Sequence, residues 1–265
     1  MFARLADGGA EKVRAIEGQR TLLGRTMHAI SYDAVHDEIV VPQQFGQAVL
    51  TFAGDARDDS PPKRVIRGSK TQLVALDRLG IDPVNNEIYV PEGDKVLVFP
   101  REANGNVAPI RVLQGPDTRI GDASALGVDP IRNLLVVASS PPRQPGARGR
   151  DTAEVTIFDR LANGNVKPLR VVTGVPGQRL ITYPEAGLFF VLGPDYVGVW
   201  SVEDSGAAPP RYTIGGPKGP LRNTRGIAID AKNRSVIVSD KDLNAVLTFE
   251  VPEIFAEAAV RGRRH

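Results

Sequence analysis

Residues 95–115 read KVLVFPREANGNVAPIRVLQG, and recognisable copies of this stretch recur along the whole chain. An apolar strand ending in an aromatic is followed by a polar turn and by a second strand of the form P-x-R-x-x-x-G. Phe52, Phe99, Phe158 and Trp200 close the first strand, and Arg64, Arg111, Arg170 and Arg211 follow at spacings of 12, 12, 12 and 11 residues. A glycine stands four residues after each arginine, at Gly68, Gly115, Gly174 and Gly215. Phe2, Arg14 and Gly18 repeat the pattern at the start, so the second strand occurs five times.

Each copy is preceded by two strand-like pieces, rich in β-branched and aliphatic residues, on either side of a short turn. They read AISYDAVHDEIVV from Ala29, LGIDPVNNEIYV from Leu79, LGVDPIRNLLVV from Leu126, LITYPEAGLFFV from Leu180 and IAIDAKNRSVIV from Ile227. Asp33, Asp82, Asp129 and Asp230 mark the turns, with Tyr183 in the fourth place. Four strands in about fifty residues is the size of a propeller blade. Such a sheet cannot bury both faces alone, so blades stack radially and closure protects their edges.

The fold expected is therefore all-β: a five-bladed β-propeller of four-stranded antiparallel blades, with six blades as the alternative. The last unit supplies three strands, ending at AVLTF (245–249), and residues 12–18 are expected to supply its outer strand. The N-terminal strand then closes the last blade. Residues 1–251 read as one propeller domain, with 1–18 as the outer strand of the closing blade. Residues 252–265 read as a short helix or tail, because Pro252 suits a first helical position and good helix formers follow.

A chain of 265 residues buries about 75% of its unfolded surface. Its 42% hydrophobic and 24% charged residues are those of an ordinary globular protein, and no apolar run has the length of a spanning helix. The net charge is only +2, and 25 of the 33 basic residues are arginines spread along the chain. That is not a nucleic-acid stripe: DNA is excluded as a partner, and the lack of an aromatic-basic surface weighs against RNA. The absence of cysteine excludes disulfides, thiolate zinc sites and a cysteine nucleophile. No charged-then-apolar leader opens the chain. The compartment expected is cytoplasmic if Met1 is the native start, and periplasmic or extracellular if a signal peptide was removed.

The candidate site comes from asymmetry. Five residues before each turn aspartate or its stand-in stand His28, Asp77, Ser124, Gln178 and Arg225, all polar and all different. Arg78 and Arg179 follow two of them, and Glu92 and Asp240 come from loops on the same expected face. A ring of dissimilar polar groups at a channel mouth is where ligand sites lie; against this, any surface loop is polar. His28, Asp77 and Ser124 are the ingredients of a nucleophilic triad but come from three blades with no motif to orient them. The arginines suit an anionic ligand or a partner's carboxylate. Residues 138–154, ASSPPRQPGARGRDTAE, form a long insertion whose Arg143, Arg148 and Arg150 are candidate contacts for an acidic partner.

Two regular columns read as structural. The turn aspartates suit Asx turns. The column Arg14, Arg64, Arg111, Arg170 and Arg211 lacks the asymmetry that catalysis needs, and is expected to pack its stems and pair with nearby acids.

Residues 225–250, RGIAIDAKNRSVIVSDKDLNAVLTFE, resemble the NHL repeat, whose pattern runs P-x-G-I-A-V-D, then I-Y-V-A-D, N-x-R-I and V-F-D. The resemblance covers the five blade cores. It departs from the family where glycine is usual in the first turn (here DAVHD, DPVNN, DPIRN and DAKNR) and in having five blades rather than six. The resemblance implies a propeller related to the gluconolactonase-like superfamily, whose members include binding modules, sensor domains, lyases and hydrolases. The function expected is a non-catalytic protein-interaction or ligand-binding platform without a cofactor or metal. Its partner would be another protein or a small anionic ligand. The alternative is a metal-dependent hydrolase or lyase of the gluconolactonase or NHL-lyase type, using a single divalent cation and a bound water.

Overall fold

The computed structural model describes the chain except residues 5, 26, 141–152, 178 and 262–265; of residues 257–261 it describes the backbone alone. The strands fall into successive meanders, each strand hydrogen-bonded to the next in sequence. The first sheet holds β1 (Ser31–Asp33), β2 (Glu38–Gln43), β3 (Ala48–Ala53) and β4 (Arg64–Arg67). The second holds β5 (Gly80–Asp82), β6 (Glu87–Glu92), β7 (Lys95–Pro100) and β8 (Arg111–Gln114). The third holds β9 (Asp122–Asp129), β10 (Leu134–Ser140), β11 (Ala153–Asp159) and β12 (Arg170–Val175). β13 (Arg179–Tyr183), β14 (Leu188–Leu192), β15 (Tyr196–Ser201) and β16 (Tyr212–Gly215) make the fourth. The fifth holds β17 (Thr224–Asp230), β18 (Ser235–Asp240) and β19 (Ala245–Glu250), and α1 (Pro252–Arg261) follows. This is the blade order of a five-bladed β-propeller, and it matches the repeat count.

The fifth sheet has three strands. Residues 12–18, expected as its outer strand, form no strand, and Ile16 makes an isolated parallel bridge with Asp58. Glu17 N donates to Asp58 O at 2.9 Å, and Asp58 N donates to Ala15 O at 2.7 Å. The bridges Ile66 to Gly105, Leu113 to Gly164 and Val172 to Gly206 are of the same kind. The outer strands β4, β8 and β12 thus reach the turn of the repeat after them, and residues 12–18 keep that half of an outer strand's bonding.

The first hairpin of every blade turns on one left-handed residue, at Asp37, Asn86, Asn133, Gly187 and Arg234 (φ 50, 56, 57, 64 and 54°). Asn and Asp tolerate that region, which explains how the chain turns without glycine at three of these positions. The aspartate at the head of four of these turns accepts its amides: Asp33 Oδ1 from Val35 and His36, and Asp82 Oδ1 from Val84 and Asn85. Asp129 accepts from Arg132 N, and Asp230 from Asn233 N. These are the Asx turns that the repeat implied.

Two compact units divide the chain, residues 1–88 with 99–109 and residues 89–98 with 110–265. In the first, β1 lies beside β5, and Ile39, Val41, Leu50 and Phe52 form a core joined by Ile16, Leu23 and Met27. Full burial of a ring such as Phe52 stabilises by about 1.5–3 kcal/mol. In the second, the innermost strands β9, β13 and β17 are neighbours. Val136, Val155, Ile157 and Val172 pack against Phe189, Val191 and Trp200 of the following blade, whose two rings stack at 6.0 Å. Phe190, Val197, Val199 and Ile214 pack in turn on Val236 and Val238. α1 adds Ile254 and Phe255 to that core, with Phe255 edge-on to Tyr183 at 5.2 Å.

Candidate functional site

In the first unit, the approach of β1 to β5 sets the residues before each strand side by side. Ser31 Oγ donates to Leu79 O at 3.5 Å, and His28 Nδ1 meets Asp77 Oδ1. The other Asp77 oxygen takes Arg78 Nη1 at 2.9 Å. One carboxylate therefore holds an imidazole and a guanidinium, with His28 42% exposed. Three of the expected site residues come together here. A surface imidazole oriented by a carboxylate and flanked by a guanidinium suits recognition of an anion.

Beside His28 opens a cleft of about 520 Å³. Its walls are apolar, from Ile16, Leu23, Met27, Ile39, Val41 and Phe52, with Met1 and Arg14 also on the lining. Arg14 donates to Gly54 O at 2.7 Å, so its charge is held by a backbone carbonyl.

In the second unit the expected residues are largely drawn into structure. Ser124 in β9 donates from Oγ to Ala138 O of β10 at 3.3 Å, a bond across the sheet. Arg179 in β13 donates to Thr224 O at 3.2 Å, and Glu92 is buried at the end of β6. Arg225 is exposed on β17. Asp240 is 3% exposed and is a turn former: Oδ2 accepts from Arg222 N and Asn223 N, and Oδ1 from Asp242 N and Leu243 N. Burial pushes its carboxyl up, but the amides of Arg222, Asn223, Leu243 and Asp242 outweigh that and hold it below the usual carboxylate range. Gln178, Arg143, Arg148 and Arg150 lie outside the described residues.

The arginine column pairs largely as its regularity implied. Arg170 meets Glu203 at 2.6 Å, Arg211 meets Asp204 at 2.6 Å, and Arg64 meets Glu38. Arg111 reaches the Tyr89 hydroxyl at 3.4 Å. Burial raises the Asp204 carboxyl, yet Arg211 and the Ser201 amide leave it below its ordinary value.

One charged cluster was not singled out from the sequence. Glu38, 2% exposed, receives Lys63 at 2.8 Å, Arg64 at 2.5 Å and Arg101 at 2.8 Å. Arg101 also donates from Nε to Asn86 Oδ1 at 2.8 Å. Burial pushes the Glu38 carboxyl up, but the bonds from Arg64, Lys63 and Arg101 bring it down to about 2. The signal was there, since an acid opens β2 and β6 alike (Glu38 and Glu87) and an arginine follows the β7 and β11 strands alike (Arg101 and Arg160). Among the described residues, no three His, Cys, Asp or Glu side chains gather closely enough to share a metal ion. No described helix is long and apolar enough to cross a membrane.

No family model matches the sequence, and no curated protein is similar to it. Solved structures do match, 691 chains of them, and a fold so widely shared does not choose a function. One is hydrazine synthase from Kuenenia stuttgartiensis, with a TM-score of 0.55 and 12% identity, over 87% of this chain and 58% of that one. This chain therefore spans 58% of that neighbour's length, and at this identity the likeness is one of fold.

Proposed function

We propose that the protein is a non-catalytic, NHL-like propeller whose residues 1–251 act as one domain, serving as a platform for a protein partner or a small anionic ligand. In the first unit the contact group is His28, Asp77 and Arg78; in the second it is Arg225. Gln178 and the Arg143, Arg148 and Arg150 loop belong to the same reading. The observation that carries it is the internal engagement of the acids. Asp77 is held by His28 and Arg78, and Asp240 by four backbone amides. A hydrolase or lyase of the gluconolactonase or NHL-lyase type needs hard oxygen ligands converging on a divalent cation. Asp77 and Asp240 serve the chain's own turns and ion pairs instead, which leaves cationic and imidazole groups to face a ligand.

Elemental analysis of protein purified without chelators or a metal-affinity tag tests this directly. The expected result is no stoichiometric metal and no turnover of lactones. A stoichiometric calcium, zinc or manganese ion that is tightly held, with lactone or lyase turnover that chelation removes, would overturn the reading.

A further inference from the structure

We propose that Asn104 and Asn163 are gated modification sites, each converted to aspartate or isoaspartate when the outer strand beside it detaches, so that the chain keeps a covalent record of that opening. The inference is separate from the anion-binding reading above.

The sequence ANGNV occurs twice, at 103–107 and at 162–166. An asparagine followed by glycine carries both its own electrophile and its own nucleophile. The glycine nitrogen loses its proton and attacks the asparagine side-chain carbonyl carbon, the Cγ–N bond breaks, and ammonia leaves. Water then opens the succinimide on one side or the other, to aspartate or to isoaspartate. Glycine in the second place has no side chain to obstruct the attack.

In the fold both reactants are tied to one residue of an outer strand. Val65 N of β4 donates to Asn104 Oδ1 at 2.9 Å, Gly105 N donates to Val65 O at 2.7 Å, and Arg67 N donates to Gly105 O at 3.1 Å. The second copy repeats this bond for bond. Val112 N of β8 donates to Asn163 Oδ1 at 3.0 Å, Gly164 N to Val112 O at 2.7 Å, and Gln114 N to Gly164 O at 3.1 Å. Attack requires Gly105 N to leave Val65 O and the Asn104 side chain to swing off Val65 N, so it requires an open clamp. Each clamp lies wholly within one compact unit. β4 and β8 are short and stand last in their sheets, and such segments open before the core does.

The clamp does not itself demand the reactive pair. Beside β12, Gly206 N donates to Val171 O at 2.7 Å and Thr173 N donates to Gly206 O at 2.8 Å, with Ser205 where the asparagines stand. Conversion is also one-way. Isoaspartate lengthens the main chain by a methylene between the two groups that grip Val65, so the product cannot rebuild both bonds. Each conversion adds one negative charge to a chain whose net charge is only +2.

The test holds native protein in mildly alkaline buffer beside the same protein in urea, and resolves the Asn104 and Asn163 peptides by chromatography and mass spectrometry. Both are expected to convert in urea, and at least about tenfold more slowly in the native state. Native conversion at the urea rate would overturn the proposal. Val65→Pro removes the N–H that holds Asn104, on an edge where proline is tolerated. It is expected to raise native conversion at Asn104 several-fold and to leave Asn163 unchanged, and Val112→Pro is expected to do the reverse. Equal acceleration at both sites, or none at either, would overturn the local gate. Should the proline variants fail to fold, amide hydrogen exchange of the unmodified protein decides. Exchange at Gly105 is expected to keep pace with conversion at Asn104 as urea is raised below the unfolding midpoint, and conversion that rises without exchange would overturn the proposal.

Discussion

The Arg101 guanidinium meets the Glu38 carboxylate at 2.8 Å across 63 residues of sequence, and both side chains are buried. The contact joins the turn after β7 to the start of β2, and Lys63 and Arg64 close on the same carboxylate. Removing the acid takes from the buried Arg101 its buried carboxylate and leaves it the exposed Glu102 at 2.8 Å. Glu38→Gln is therefore expected to cost about 3–5 kcal/mol, read as a fall in the urea midpoint at unchanged slope.

The same carboxyl sets an acid limit. Its folded-state pKa is depressed, from 4.5 to about 2, so its contribution is fully present above the unfolded value and is lost as pH falls through that window. Melting temperature measured from pH 5 down to pH 2 should fall more steeply for the unmodified protein than for Glu38→Gln. Parallel curves would show that Glu38 is not the group responsible.

Arg234 is the one first-hairpin residue that is neither Asp, Asn nor Gly at the left-handed position. Side chains beyond these tolerate that region poorly. Arg234→Asn, which copies Asn86 and Asn133, should stabilise by about 0.5–1 kcal/mol. Thermal unfolding measures it.

Gly115 has φ 133°, and a Cβ built on it would lie 2.5 Å from Asn165 Oδ1. Asn165 accepts there from Asp117 N at 2.8 Å, so the amide cannot withdraw without losing that bond. Gly115→Ala should cost about 1–3 kcal/mol. Gly164→Ala, with nothing within 4 Å, is a control for backbone strain alone.

His28 and Asp77 are both partly exposed. An ion pair of that kind contributes about 0–1 kcal/mol, so His28→Ala should leave the urea midpoint nearly unchanged. If the pair serves recognition, the same change should weaken the binding of small carboxylates or phosphates in a titration. A large loss of stability with intact binding would reassign His28 to structure.

The period of the chain was legible because each blade repeats its local chemistry: an aspartate at the turn, an aromatic at the strand end, a glycine after the outer strand. Local bonding enforces each of these, so each leaves a mark at fixed spacing. Asp77 beside His28 was legible for the same reason, since equivalent positions in adjacent inner strands must be neighbours. The Glu38 cluster was not, because nothing in the spacing of Glu38, Arg64 and Arg101 says which arginine turns toward which acid. Asp240 looked like a mouth residue, and its role emerged only with the turn at Lys241–Asn244 that folds back onto its oxygens.

The joint after three of the outer-strand sequences carries a last consequence. Gly18, Gly68 and Gly115 take φ of 127, 130 and 133°, and Thr21, Thr71 and Thr118 each return a hydroxyl to that glycine's carbonyl at 2.6–2.7 Å. The hinge is thus one geometry at these three joints, while Gly174 and Gly215 take φ of 73 and 87° instead. A unit copied in register at such a joint would meet a matching connector at both ends. Where the joint is shared, a blade's entry geometry is set by the connector and not by the blade that follows.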